Sequence, residues 1–597
     1  MSRTISQVLG PLTVGAFVIA ASGHIPPVAS DALAARPAGD EGGVPAAGPV
    51  EDREPGSPFT RWRSAKSVEQ VQRVLADMGL YLGPIDGHLN DETRAAIRVY
   101  QEGAGLKVDG KISRELWDLM NNAQRVRALL RRLDKARKTG RSKARQALLS
   151  HPATRDLVDV PNRERADPTR NAETCFNEPT VRCLLAEASE SAKAVFRSEL
   201  RDWALGEILV AEARAGLTEN AMQTVRRIRD PRLIMVALRD IAEAEAASGR
   251  ANEARAAADI IPDHDKQADA LAAIADIQVQ RKEFDHAQAT VARLLEMVEE
   301  LEPAVRRVAL RSRAAVILAW SGDQDGAKRH MDAAETEARG DLATQAQATA
   351  LRYVASALAD MARPSDAMSV LAGRSSISER TSALVSTAEA QVRAGDAAAA
   401  LATADSIETV RFKAAVLGRI AQVQAQAGDR DGAEATIKLA LAAIDDISSA
   451  FARSYAISRV ALAMVSAGDG PAAFAKATDT AKQIEDGRLR AQTLWSIAAE
   501  RRRLRDATGA SATETEAETA TELIVSRLSR VWMFSDIALV HARHARPDDA
   551  EQAFHRALDI ARNLENAWSR SRALARLAVI LVETVTPNPD LPLAPPR

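Results

Sequence analysis

An all-α fold is predicted: a small three-helix unit followed by an α-solenoid of about ten helix pairs. Three observations predict it. From about residue 200 onward a stretch of the form Ala-Leu-x-x-Ile-Ala-x-Ala recurs, followed by a tight turn and, five residues later, an Ala. The turns fall at Gly216, Gly249, Lys282, Gly322, Ala362, Gly395, Gly428, Gly468, Arg505 and Ala545, in steps of 33, 37 or 40 residues. Self-similarity at that period marks stacked helix pairs. Second, the chain is 46% apolar but only 4% aromatic, and small side chains suit closely stacked helices better than a thick globular core. Third, residues 67–120 hold three short runs of helical period separated by two Asp-Gly turns.

The elements follow in chain order. Residues 1–30 read as a secretory signal: Arg3, an apolar run from Val8 to Ala21, then small residues at Ala20-Ala21-Ser22 and Val28-Ala29-Ser30. That run is too short to span a bilayer, which takes about 20 apolar residues. The protein is therefore expected to be exported, either periplasmic or wall-associated. Residues 31–60, rich in Ala, Pro and Gly, read as a disordered tether.

Residues 61–122 form the small unit. Val71, Leu75 and Met78 line its first helix; Thr93, Ala96, Ile97 and Tyr100 the second; Leu116, Leu119 and Met120 the third. The intervening turns match: Ile85-Asp86-Gly87-x-Leu89 and Val108-Asp109-Gly110-x-Ile112. Asp caps locally and Gly supplies φ > 0, so Asp86, Gly87, Asp109 and Gly110 are turn residues first. With Val71-Gln72, Gly79-Leu80, Tyr100-Gln101 and Trp117, these positions closely resemble the peptidoglycan-binding domain of bacterial cell-wall hydrolases and envelope proteins. The resemblance implies non-catalytic adhesion to glycan strands or stem peptides. Tyr81, Arg98 and Gln101 are expected as exposed hydrogen-bonding contacts, and Tyr100 and Trp117 either as core or as sugar platform. One departure is Asn90, where the family usually has Gly; Asn tolerates the left-handed region.

Residues 123–172 are expected to be a basic helix and a linker. Between 125 and 145 there are ten Arg or Lys against Asp134 alone, around a stripe of Val126, Leu129, Leu130, Leu133 and Ala136. Such a helix suits an anionic membrane surface, wall carboxylates or nucleic acid, and export disfavours nucleic acid. The two cysteines, Cys175 and Cys183, are expected to be joined in an exported protein.

The solenoid is placed at 173–585 and a disordered tail at 586–597. Leu205, Leu238, Leu271, Leu351, Leu384 and Leu417 stand eleven residues before their turns, and Ile208, Ile241, Ile274, Val354 and Ile420 eight before. Spacings of three and four put both on one helical face. Gly-Asp-x-x-x-Ala, as at Gly395 to Ala400 and Gly428 to Ala433, resembles the middle of a tetratricopeptide repeat, although the early Trp and Gly-x-x-Tyr of that family are mostly missing. The 40-residue units add seven residues, about two helical turns, which keeps the stripe in phase. Residues 572–585 are expected to cap the stack. Arg239, Arg313, Arg352, Arg419 and Arg459 fall nine or ten residues before their turns and would line the concave wall as a basic strip for an acidic partner.

No phosphate-binding loop, nucleophile elbow or His-Glu-x-x-His occurs. His541 and His544, three apart, could meet Asp548, but no metal site, cofactor or catalytic residue is assigned. The sequence thus points to an exported, non-catalytic wall-binding scaffold that holds an envelope protein or peptide. Its alternatives are a cell-wall hydrolase, or an activator of one, whose residues go unrecognised, and a protein held at a membrane by helix 124–150.

Overall fold

The computed structural model describes residues 65–160, 164–371, 377–468, 470–543 and 545–585. The expected export signal, tether and C-terminal tail lie outside them. The chain divides into two compact units, one ending at Lys143 and the other beginning at Ala144. No strand occurs among the described residues, and none of their helices is long and apolar enough to cross a membrane.

The small unit is built on helices α1 (Ala65–Asp77), α2 (Asp91–Gly103) and α3 (Arg114–Ser150). Val71, Val74, Leu75, Ile97, Leu116 and Met120 are buried together between them. Asn90 is extended rather than left-handed (φ −78°, ψ 175°) and caps α2: its Oδ1 accepts from the Thr93 amide at 2.7 Å. The departure from Gly therefore fills the N-cap role for which Asn is among the best residues. The third helix does not stop at Met120. It runs unbroken to Ser150, so the basic segment is its continuation and not a separate element.

The large unit is a closed ring of helix pairs. Its first helices are Ser198–Arg214, Pro231–Ala247, His264–Gln280, Ala304–Trp320, Thr344–Asp360, Ile377–Arg393, Val410–Gln426, Ala450–Ala467, Gly487–Arg503, Arg527–Arg543 and Ala567–Val585. Each packs on the next, and the last packs on Ser198–Arg214. The expected α-solenoid is thus circular, and Ala567–Val585 closes it instead of capping it. This closing helix is seated on Val181–Lys193, which serves as its second helix, so the final pair takes one member from each end of the array. Closure buries both terminal faces of the stack, which an open array must instead cover with polar caps.

The closing seam has its own chemistry. Arg572, 5% exposed, donates to Glu207 at 2.7 Å and lies within 4.5–4.8 Å of the ring centres of Trp203, Trp532 and Trp568. Ser571 Oγ donates to the Ala188 carbonyl at 2.9 Å. Glu583 pairs with Arg214 and Arg543, and Arg576 with Asp536 at 2.6 Å.

Each turn between the helices of a pair contains a left-handed residue. The φ values run from 55° to 107° at Gly216, Gly249, Lys282, Gly322, Ala362, Gly395, Gly428, Gly470, Arg505 and Ala545. The eighth turn differs from expectation: Gly468 has φ −78°, and Gly470, just before Pro471, takes the positive value. At the other turns the next backbone amide bonds back across the turn, as Leu217 to Glu212, Asp429 to Gln424 and Asp506 to Arg501 at 2.8–3.0 Å. This six-to-one bond defines the Schellman stop.

The variable repeat length sits in the second helices. Pairs in 33-residue steps have second helices of 8 or 9 residues (Thr218–Val225, Ala251–Asp259, Pro364–Leu371, Ala397–Asp405). In the 40-residue steps they have 15 or 16 (such as Phe284–Val298 and Arg430–Asp445), while first helices stay near 17. First helices must match their neighbours along a closed wall; second helices lie outside it and are free to lengthen.

A polar tie recurs inside the pairs. Thr290 Oγ1 donates to Gln278 at 2.8 Å, Thr403 to Gln391 at 2.8 Å and Thr436 to Gln424 at 2.7 Å; Arg501 donates to Thr513 at 3.0 Å. Each pair of partners straddles its turn residue, the glutamine or Arg501 on the first helix and the threonine on the second. Glu212 holds the same place opposite Thr224 in the first pair, and burial pushes its carboxyl up to about 7.

The segment 151–172, expected to be a linker, supplies buried Leu157 and Val158, which pack with Leu148, Phe176 and Leu184 into the array core. Cys175 and Cys183 are joined, with 5.7 Å between their Cα atoms.

Candidate functional site

The two Asp-Gly turns of the small unit are held by one device used twice. Gln72 on α1 reaches into the first turn: its Oε1 accepts from the Asp86 and Gly87 amides at 3.1 and 2.8 Å. Its Nε2 stands 3.0 Å from Asp86 Oδ1 and 2.9 Å from the His88 carbonyl. Gln101 on α2 repeats this in the second turn. Its Oε1 accepts from Asp109 and Gly110 at 3.0 and 2.9 Å, and its Nε2 donates to Asp109 Oδ1 at 3.0 Å and the Lys111 carbonyl at 3.2 Å. At Gln101 one buried amide therefore meets two backbone donors and two acceptors, which uses its full hydrogen-bonding capacity.

Each Asp also accepts from a backbone amide two residues on, Asp86 from His88 and Asp109 from Lys111, both at 2.9 Å. These amides, with the glutamine side chains, hold both carboxyls below the usual Asp range. The charged forms that fix the turns thus persist throughout the neutral range. They are lost only as pH falls below the ordinary carboxylate value.

Two of the expected contact residues are corrected by this geometry. Gln101 is 2% exposed because it is the turn bridge, and Tyr81 is 3% exposed because it anchors the longer first loop. The tyrosine hydroxyl donates to the Pro84 carbonyl at 2.9 Å and receives from Gln72 at 3.3 Å. A Cβ on Gly83 would lie 2.6 Å from that hydroxyl, so glycine is what allows the loop to wrap it. Asp86, Gly87, Asp109 and Gly110 are turn residues as read, Gly87 and Gly110 with φ of 75° and 68°. Tyr100 and Trp117 are half-buried against the core. Arg98 is exposed, with its guanidinium over the Gly110 backbone.

The small unit also presents several apolar side chains. Leu82, in the first loop, is 98% exposed, and Ile85 is 43% exposed; Val99 on α2 and Val108 just before the second turn are exposed as well. The matching pairs Val71-Gln72 and Tyr100-Gln101 carry the sequence signal for the glutamine bridges. It is obscured because the first glutamine precedes its Asp by fourteen residues and the second by eight.

Of the five arginines of the expected basic strip, Arg239, Arg313 and Arg459 are engaged by the protein's own side chains. Arg239 is paired with Asp240 at 3.1 Å and Glu243 at 3.3 Å; Arg313 donates to Asp276 at 2.8 Å. Arg352 lies 4.4 Å over the Tyr353 ring, and Arg419 is half-buried. Arg459 is 4% exposed and donates to Gln422 Oε1 at 3.1 Å; burial pulls its pKa below the usual value. Arg313 and Arg459 reach partners on the neighbouring first helix, so stacking of the wall matches these side chains within the protein. His541 is buried and faces Asp549 at 3.8 Å, not Asp548, while His544 lies outside the described residues. Among the described residues no three His, Cys, Asp or Glu stand ready to hold a metal.

Residues 64–120 match the family model of a putative peptidoglycan binding domain. The match falls on the small unit. The match spans both glutamine-held turns and ends at Met120, so the rest of α3 and the whole ring lie beyond it. No curated protein matches the chain. Among solved structures, the chain is similar to Ton1535 from Thermococcus onnurineus NA1 at 16% identity, covering 58% of this chain and 97% of that one, with a TM-score of 0.25. It is also similar to a circular tandem repeat protein with novel repeat topology and enhanced subunit contact surfaces, at 13% identity, 87% and 96% coverage and a TM-score of 0.14. Scores this low carry no argument about the ring, which rests on its own helix contacts.

Proposed function

We propose that this protein is an exported, non-catalytic scaffold that adheres to peptidoglycan through its small unit and offers the helical ring to envelope proteins or peptides. The observation that carries the reading is the peptidoglycan-binding match, with both Asp-Gly turns intact and Leu82, Ile85 and Arg98 open to a ligand. Export is supported by the signal-like residues 1–30, and the joined cysteines suit an oxidising compartment. For a closed ring we read the rims and the outer helices, rather than a concave groove, as the partner surface. Arg239 and Arg313 are already matched by the protein's own carboxylates, so an acidic peptide gains little there.

Pelleting of the full chain with purified sacculi tests the wall contact. We expect binding, weakened about tenfold by L82D combined with R98E, because an apolar contact and a polar one are both removed. Failure to pellet ends the wall-binding reading. A zymogram on the same material tests the scaffold role, and a cleared band makes the protein a cell-wall hydrolase instead.

A further inference from the structure

Beyond Met120, α3 is a long helix with an uncovered face. Every described side chain from Leu129 to Thr139 is exposed, including Leu129 at 57%, Leu130 at 54% and Leu133 at 39%. Leu133 follows the other two by four and three residues, so the three leucines share one side of the helix. Farther along the same side, Ala144, Ala147 and Leu148 pack into the core of the ring. The same side of the helix is therefore bare at the leucines, carries only Ala136 and Gly140 between them and the ring, and is covered at its C-terminal end.

Around the bare part stand Arg131, Arg132, Lys135, Arg137, Lys138, Arg141 and Lys143, all exposed. Among the described residues none of the seven is ion-paired, whereas Arg145 just beyond them donates to Asp159 at 3.1 Å. Asp134 is the one carboxylate in the stretch.

We propose that residues 129–143 of α3 lie flat on an anionic lipid surface, with the three leucines in the interface and the seven cations on headgroup phosphates. Charge complementarity requires an anionic occupant, and the leucines select among the anionic ones. Stem-peptide carboxylates or nucleic acid would match the cations but leave three leucines in water, whereas a bilayer interface takes both faces at once. Long Lys and Arg stems beside the leucines can bury their methylenes and keep the charge at headgroup level.

Flotation of the full chain with vesicles tests this. Binding is expected at low salt to phosphatidylcholine vesicles containing about one third phosphatidylglycerol, and not to phosphatidylcholine alone. The triple change L129Q, L130Q and L133Q keeps every charge and good helix formers, and should lower binding about tenfold. The triple change R131E, R132E and K135E should lower it at least as much, and neither should alter pelleting with sacculi. Because the native cysteines are joined, L130C supplies a single thiol for an environment-sensitive dye. Its emission should shift to the blue on anionic vesicles only. The proposal is overturned by absence of flotation at low salt, by an unshifted dye, or by leucine changes without effect. It is overturned equally if the charge reversal abolishes sacculus pelleting and spares vesicles, which would assign the helix to the wall. Because sacculi are assayed separately, failure here leaves the wall-binding reading standing.

Discussion

The small unit and the ring end their helices alike, with a left-handed residue and a six-to-one bond (Gly79 with Leu80 to Leu75, Gly105 with Leu106 to Gln101), but they hold the turn that starts the next helix differently. The small unit uses a side-chain bridge at each turn, Gln72 once and Gln101 once, and neither has a substitute. The ring repeats a left-handed residue at turn after turn, with a backbone bond beside it, so any single turn is one of many. Stability is therefore concentrated in a few groups in the first region and spread across the second. The seam of the ring is the exception, since Arg572 and its tryptophans occur once.

Arg572→Ala probes that exception. It removes the guanidinium from half-buried Glu207 and from three aromatic faces, so about 3–5 kcal/mol of ring stability should be lost. Urea unfolding followed by circular dichroism reads it. A shift no larger than that of an ordinary turn variant would show that the seam is redundant like the rest.

Gln101→Ala leaves two backbone donors and the Asp109 carboxylate without their bridge. A cost of about 2–3 kcal/mol is expected, enough to unfold much of a domain this small. The effect is local if sacculus pelleting is lost while the ring's thermal transition stays where it was.

Glu212→Gln should act in the other direction. Its carboxyl titrates at about 7 in the folded ring against an ordinary value of 4.5, so the protonated form is favoured by folding. The stability it provides is complete below pH 4.5 and disappears as pH rises through 7. Glutamine, which the sister pairs already use at Gln278, Gln391 and Gln424, removes that loss. A gain of about 1–3 kcal/mol is expected at a pH of about 8 and little at about 4. Thermal melts at the two pH values distinguish this from a uniform packing effect.

The smallest change is expected from Ala362→Gly. Ala362 sits at φ 58°, a left-handed conformation that costs a non-glycine residue about 1 kcal/mol, so glycine should add roughly 0.5–1 kcal/mol. A loss in the melting temperature instead of a gain would mean that the methyl group packs in a way the other turns do not need.

Most of the ring's turns are legible in the sequence because a left-handed residue followed by Ala five places on is a local pattern. The eighth turn is not, because two glycines compete for the role. Pro471 fixes the start of the following helix there, and the positive φ moves from Gly468 to Gly470. The Asp-Gly turns of the small unit are legible for the same local reason. Gln101 and Tyr81 read as surface because polar side chains are usually exposed, and only the folded loops supply the buried partners that reverse this.

By itself the sequence determined the all-helical class, the repeat, the apolar face of each first helix and the extra turns of the longer units, since all are properties of one or two adjacent helices. Tertiary structure alone decided that the array closes, that Val181–Lys193 pairs with Ala567–Val585, and that arginines such as Arg313 and Arg459 are matched within the wall. Closure depends on a small rotation per pair accumulated around the whole set of first helices, and no local pattern records that sum.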